Sequence, residues 1–354
     1  MRLIPSRSSK ITASANAVIG GDMVLSPGAS FGVSIARERA IAIPTISRAR
    51  DLFAAYAAQL SIRQFGTQWD GEDLVEIPIP PEPWMSRPDS SSTLAATLAW
   101  TIDAMLFWGF SAWYVTGRYA PSNGDFPASF QLLPAEQLSF TAANYVGNTP
   151  IGPIENISFN GTPLARRDVV FFWSPNEPLL RSGARAIRIA EKLDLAAERF
   201  ATSPIAAGWL KQTGGEPLSR EKAKEAAQTF AEQRLTDSIA FFPENIDWKE
   251  SGMDPSKLQL TEARQHSALE LSRVANISSL LTGAPSGSSM TYSNATQAWE
   301  QLGFDVAPYL AVIEQTLSSE QVTPRGRVVR LKVNTPAGAA TPAQQPEQQG
   351  ANAR

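Results

Sequence analysis

Residues 183–203 read GARAIRIAEKLDLAAERFATS. Ala186, Ile189, Leu193, Ala196 and Phe200 recur at steps of three and four, which lays one apolar stripe along a helix of about five turns. On the same wheel Arg185, Arg188, Lys192 and Arg199 make a basic stripe, and Glu191, Asp194 and Glu198 an acidic one. Two readings of this charge pattern stay open. One is a solvated helix with charged faces. The other is a head-to-tail contact between copies, in which each subunit offers a different edge to each neighbour and opposite charge on the two edges closes a ring.

Downstream, Pro204 ends the helix and residues 204–254 form a small β-α-β insert. Residues 205–211 are strand-like, Gly214 and Gly215 turn the chain, and Ser219 caps a helix lined by Ala223, Ala226, Ala227, Phe230 and Leu235. Strand-like stretches return at 238–242 and 246–250. A second long helix lies within 255–280, with Leu260, Ala263, Ser267, Leu271 and Val274 on one side, so two long helices bracket the insert. Residues 281–293 follow as a neutral loop: no charge lies between Arg273 and Glu300, and Gly283, Pro285, Ser286, Gly287, Ser288, Ser289, Met290, Thr291 and Tyr292 fill its centre. Residues 294–334 hold a last helix, with Leu302, Val306, Tyr309, Ile313 and Leu317 on one face and Pro308 inside to kink it. A strand at 327–333 alternates Val329, Leu331 and Val333 with Arg330 and Lys332. The Ala-, Gln- and Pro-rich residues 335–354 lack the apolar content to fold alone.

Upstream, residues 1–43 are rich in Ser, Ala and Gly without a sustained period and read as an arm. Residues 44–182 read as one α+β domain. Thr45 caps a helix carrying Ala49, Leu52, Phe53, Tyr56 and Leu60; the proline-studded 77–88 is an extended connector; Ser91 and Ser92 open the next helix. Strands are expected at 113–119, 130–133 and 168–173. The run 94–115 approaches a bilayer span in length. Asp103 lies in its middle, however, Gly109 and Ser111 interrupt it, and 112–115 is strand-like, so a buried helix followed by a strand is the expected structure. Trp100, Phe107, Trp108, Trp113 and Tyr114 then fill the domain core.

Composition removes most chemistry. The 354 residues contain no cysteine and one histidine, His266, so thiol nucleophiles, cysteine-ligated metals and a two-histidine site within one subunit are excluded. His266 sits between Glu262 and Glu270 at helical spacing, an ordinary structural setting. No Gly-Lys pair exists, which excludes a phosphate-cradling nucleotide loop. Gly283-Ala-Pro-Ser-Gly287 misplaces its serine for a nucleophile elbow. Asp89 and Asp247 are the carboxylates that a metal-dependent nuclease would use, but their separation in sequence is too long for the usual core. Neither a catalytic residue, a metal nor a cofactor is expected. A net charge of −3 argues against a broad nucleic-acid-wrapping surface, and no continuous apolar signal-peptide core follows Arg2 and Arg7.

The order of parts, together with Trp84-Met-Ser-Arg-Pro-Asp89, Trp108-Gly-Phe-Ser-Ala-Trp-Tyr-Val115, Gln259-Leu-Thr-Glu-Ala-Arg264, Leu281-Thr-Gly-Ala-Pro285 and Met290-Thr-Tyr-Ser-Asn294, resembles the portal proteins of long-tailed bacteriophages over about residues 40–320. Pro308-Tyr-Leu and Ile313-Glu314 fit the same pattern. The resemblance implies a portal-type fold with a wing at 44–182, stem helices at 183–203 and 255–280, a clip at 204–254, a tunnel loop at 281–293 and a crown base at 294–334. It implies a ring, usually of twelve subunits, at the unique capsid vertex of the virion, assembled in the host cytoplasm. Double-stranded DNA passes through such a ring without sequence preference, and the terminase large subunit, a head–tail connector or adaptor and the major capsid protein are its partners. Neither a membrane nor catalysis belongs to that role; a carboxylate–metal nuclease or a membrane-associated phage protein is the alternative. Pro285 to Tyr292 would face the channel, where a loop without charge avoids the salt-dependent phosphate contacts that would hold DNA back. One departure is the short C-terminal region after the last helix, which leaves little for a long crown.

Overall fold

The computed structural model describes residues 11–14, 35–146, 149–202, 208–214, 219–236, 246–250, 259–283 and 295–334. Within the stretch expected to be a loose arm it has a strand, β1 (Ile11–Ser14), and a short helix, α1 (Arg37–Ile41). Ile35, Ala40 and Ile43 are buried, and the Ile35 N–H donates to the Leu180 carbonyl at 3.2 Å. The packed boundary is therefore near residue 35, because apolar spacing too short to show a period still suffices to dock a single turn. Pro44 opens α2 (Pro44–Ala57) in its first turn, where a missing N–H costs nothing, and Ile43 takes the N-cap place expected of Thr45.

The proline connector is partly a strand. β2 (Leu60–Trp69) and β3 (Leu74–Ile79) form a hairpin, and β12 (Arg327–Val333) pairs with the other side of β2, all antiparallel. Pro78 is tolerated because β3 is the sheet edge. A short helix, α3 (Pro83–Ser86), follows, and then α4 (Leu94–Trp108), capped by the Thr93 hydroxyl, which accepts from the Ala96 N–H at 3.2 Å. The cap thus lies just beyond Ser91 and Ser92. Gly109, at φ 80°, ends α4 in the left-handed region that favours glycine. The bilayer-length run accordingly splits into a 15-residue helix and β4 (Phe110–Arg118). No described helix is long and apolar enough to cross a membrane.

β4 lies between β5 (Pro127–Leu133) and β9 (Val169–Trp173). Both faces of this sheet are covered, which is why its strands read as nearly continuous apolar runs. Trp113, Val115, Val170 and Phe172 point to the helices; Phe110, Ala112, Val169 and Phe171 point to a second core against the hairpin of β6 (Leu138–Val146) and β7 (Thr149–Phe159). That hairpin, joined by β1 and β8 (Thr162–Pro163), was not anticipated from the sequence. Phe140 meets Phe110 and Phe171 edge-on at ring separations of 5.3 and 5.4 Å. Each such buried ring contributes about 1.5–3 kcal/mol.

The remainder comprises α5 (Leu179–Ser182), α6 (Ala184–Thr202), β10 (Gly208–Gln212), α7 (Arg220–Thr236), β11 (Ile246–Glu250), α8 (Leu260–Val274), α9 (Ser279–Thr282) and α10 (Ala295–Leu317). β10 and β11 pair antiparallel across the insert. The strand expected at 238–242 lies outside the described residues, as does the tail at 335–354. α10 carries Pro308 and buries Leu302, Val306, Tyr309, Ile313 and Leu317 against the helical core, as its spacing predicts. Proline there leaves the Phe304 carbonyl without its helical N–H partner.

Asp103, the charge that interrupts the apolar run, is 6% exposed. Its carboxylate accepts from Arg37 at 2.8 and 3.2 Å and from Arg50 at 3.0 Å. Both guanidinium groups also lie over the Trp100 ring, at 5.5 and 4.9 Å from its centre. Trp100 is therefore not core: it is 45% exposed and serves as a platform for two cations. Phe107 and Trp113 are fully buried as expected, the latter donating from its indole N–H to the Thr101 hydroxyl at 2.9 Å.

Candidate functional site

The α6 stretch decides which surfaces are left for other molecules. Its buried residues are Ala184, Ile187 and Ala190, which adjoin the helical core. The predicted stripe lies on an adjoining face: Ala186, Leu193 and Ala196 are half-buried and Ile189 is 44% exposed. Leu195 is 53% exposed. The stripe lies beside the buried face because Ile187 and not Ile189 packs into the core, and helical spacing alone does not choose between two isoleucines two residues apart. Arg185 and Lys192 are exposed on the same outward side as Ile189.

The acidic stripe is largely engaged within the chain. Arg39 of α1 donates to Glu191, with Nε 2.8 Å from Oε1, and that hydrogen bond and charge hold the guanidinium pKa above its ordinary value. Arg264 of α8 donates to Asp194 at 3.1 Å. Arg188 and Glu198 also have partners, and the Arg199 side chain lies outside the described residues. Glu191 and Asp194, three apart on one helix, are thus fasteners for α1 and α8. Sequence reasoning missed Arg39 and Arg264, and the only signal was that three-residue carboxylate spacing. α8 itself buries Ser267 and Leu271, with Leu260, Ala263 and Val274 half-buried, as its pattern predicts.

The helix of the insert is different. Ser219 caps α7, its hydroxyl accepting from the Lys222 N–H at 3.4 Å. Ala223 and Ala227 of the expected apolar side are nevertheless exposed, and Ala226 is only half-buried.

Gly283, at φ 73°, caps α9 in the left-handed region and opens the neutral stretch. Pro285, Ser286, Gly287, Ser288, Ser289, Met290, Thr291 and Tyr292 lie outside the described residues.

Asp89 is buried, and its Oδ1 accepts from the Ser91 N–H at 2.7 Å and the Ser91 hydroxyl at 2.6 Å, a turn-closing role. Asp247 is exposed on β11, opposite Lys211. No group of three or more His, Asp or Glu side chains that could hold a metal occurs among the described residues. His266 is exposed on α8, and its neighbour Glu270 pairs with Arg273.

A family model described as phage portal protein matches residues 44–343. The fold is similar to that of an HK97-family phage portal protein from Corynebacterium diphtheriae, with a TM-score of 0.66 and 20% identity over 84% of this chain and 95% of that one. It is also similar to a chain in the neck of an empty gene transfer agent particle computed with C6 symmetry, with a TM-score of 0.50 and 16% identity over 88% of each chain. A chain in the native particle neck computed with C12 symmetry gives a TM-score of 0.52 and 14% identity over 84% of this chain and 83% of that one. Among curated proteins none matches the chain in sequence.

Proposed function

The chain belongs to the phage portal protein family, and from that premise we propose that its copies close into a ring of twelve at the unique vertex of a virion capsid, assembled in the host cytoplasm, whose central channel passes double-stranded DNA during packaging and ejection. The role is structural and calls for no catalytic residue, metal or cofactor. The observation that carries the ring is the outward face of α6. Ile189 and Leu195 stand 44% and 53% exposed beside Arg185 and Lys192, an apolar and basic strip that a second copy would cover.

The stem contact takes a revised form in this reading. Glu191 and Asp194 hold the chain's own α1 and α8, so they orient the strip and do not supply the opposite charge. Ile189 and Leu195 give the contact its area, and the exposed Arg185 and Lys192 meet carboxylates of the next subunit. The exposed α7 and the β10–β11 pair form the clip, to which the terminase large subunit docks during packaging and a head–tail connector afterwards. The major capsid protein surrounds the wing. Gly283 and Pro285 to Tyr292 form the channel-facing loop, neutral so that DNA slides without strong phosphate contacts.

Mass photometry and electron microscopy of the purified protein test the reading. A discrete closed ring is expected. A protein that stayed monomeric at every concentration, including in the presence of its capsid partners, would overturn it.

A further inference from the structure

The outer half of the β2–β3 hairpin is apolar on both faces. Its register sets Trp69 opposite Leu74, Gln68 opposite Val75 and Gly66 opposite Ile77. Side chains alternate along a strand, so Trp69 and Leu74 share one face and Val75 and Ile77 the other. All four are exposed, Trp69 and Leu74 by 62% and 63%. β12 pairs with β2 as far as Gly66, and β3 is the open edge of the sheet. Beyond Gly66 the hairpin is thus two strands wide among the described residues. An exposed apolar edge of this kind invites pairing with another chain, and a cluster of large apolar side chains marks a contact surface.

The tip of the hairpin is acidic. Asp70, Glu72 and Asp73 are exposed. The Asp70 carboxylate accepts from the N–H groups of Glu72 and Asp73 at 3.0 and 2.8 Å, which fixes the turn and holds its pKa below the ordinary value. Glu76, the next carboxylate along, is already engaged by Arg330. The strip on α6 has the opposite character: Ile189 and Leu195 are exposed beside the basic Arg185 and Lys192.

Within one copy neither surface covers the other, since both are exposed. α2 lies between their bases. Ile43 and Pro44, at its start, line a cleft with Ala190 and Leu193 of α6, whereas β2 leaves from its far end, 14 residues or about 21 Å away. Two different surfaces of one chain, matched in charge and both apolar, are what a head-to-tail contact between copies requires.

We propose that the β2–β3 hairpin is the arm by which one copy grips the next, its acidic tip meeting Arg185 and Lys192 and its Trp69–Leu74 face covering Ile189 and Leu195 on the neighbour's α6. The proposal rests on the ring reading and names the carboxylates that meet the basic strip. Opposite charge orients the approach, and the tryptophan is the anchor of the contact. Charge reversal in the full chain tests it. Glu72→Lys with Asp73→Lys is expected to raise the protein concentration needed for half-assembly at least tenfold, read by mass photometry, and adding Arg185→Glu with Lys192→Glu to the same chain should restore it. Rings that assemble as in the wild type despite the tip reversal would overturn the arm and leave the ring to another contact; a wild type that forms no ring would overturn both. A second measurement fixes the direction of the contact. The chain has no cysteine, so a variant with Glu72→Cys and Lys192→Cys carries two thiols, one in each surface. Oxidation of its rings is expected to give a ladder of disulfide-linked species beyond the dimer on non-reducing gels, which neither single variant gives. A product that stops at the dimer would overturn the head-to-tail grip. All these positions are exposed, so the variants should melt with the wild type.

Discussion

At the scale of single residues, Asp103 shows how a charge inside an apolar run becomes a structural anchor. It joins α4 to α1 through Arg37 and to α2 through Arg50, and those two arginines also cover Trp100. Removing one partner of a buried ionic cluster leaves the others uncompensated, so Asp103→Ala is expected to cost about 3–5 kcal/mol, read from the denaturant midpoint. A second expectation concerns acid. Burial pushes the Asp89 pKa up, but hydrogen bonds, chiefly from the Ser91 hydroxyl and N–H, outweigh it and hold the carboxyl below its ordinary value. A group depressed in the folded state contributes stability above its unfolded pKa and loses it as pH falls through the folded one. Asp89→Asn should therefore flatten the stability profile below about pH 4, where the wild type falls steeply. Identical slopes in the two proteins would refute this. The sequence located both carboxylates but not their partners: Arg37 lies 66 residues from Asp103, and no local period reports such a pairing.

At the scale of elements, α6 separates what folds one copy from what joins two. Ile187 is fully buried and Ile189 is 44% exposed, although the two are chemically the same and two residues apart. Ile187→Asp is expected to unfold the protein. Ile189→Asp and Leu195→Asp should leave the stability of the single subunit within about 0.5 kcal/mol while abolishing the ring, measured by thermal melting beside mass photometry. Intact rings in the Ile189→Asp, Leu195→Asp double variant would place the interface elsewhere. The Arg39–Glu191 pair is exposed, with side chains 58% and 22% accessible. A double-mutant cycle there should give no more than about 1 kcal/mol. Helical spacing identified α6, α8 and α10 as elements, and for α8 and α10 also the buried side. In α6 Ile187 and Ile189 carry the same hydrophobic signal, so spacing could not choose the side that the neighbouring helices cover.

At the scale of the whole molecule, a net charge of −3 and an uncharged segment between Arg273 and Glu300, proposed to line the channel, suit passage and not capture of DNA. The assembled protein is expected to bind duplex DNA weakly, with a shallow dependence of log affinity on log salt that corresponds to few phosphate contacts; a steep slope like that of a DNA-wrapping protein would contradict the channel role. By itself the sequence determined the α+β class, the long helices around a small insert and the lack of charge between Arg273 and Glu300, because helical period and charge are local or countable properties. Only the tertiary structure decided that β12 returns to β2, that the β6–β7 hairpin covers the far face of the central sheet, that two acidic residues of α6 pair with Arg39 and Arg264, and that Gln64 is buried without a partner among the described residues. Each of these is a contact between segments far apart along the chain, and which residues meet there is settled by the packing of the whole and not by the spacing of any one stretch.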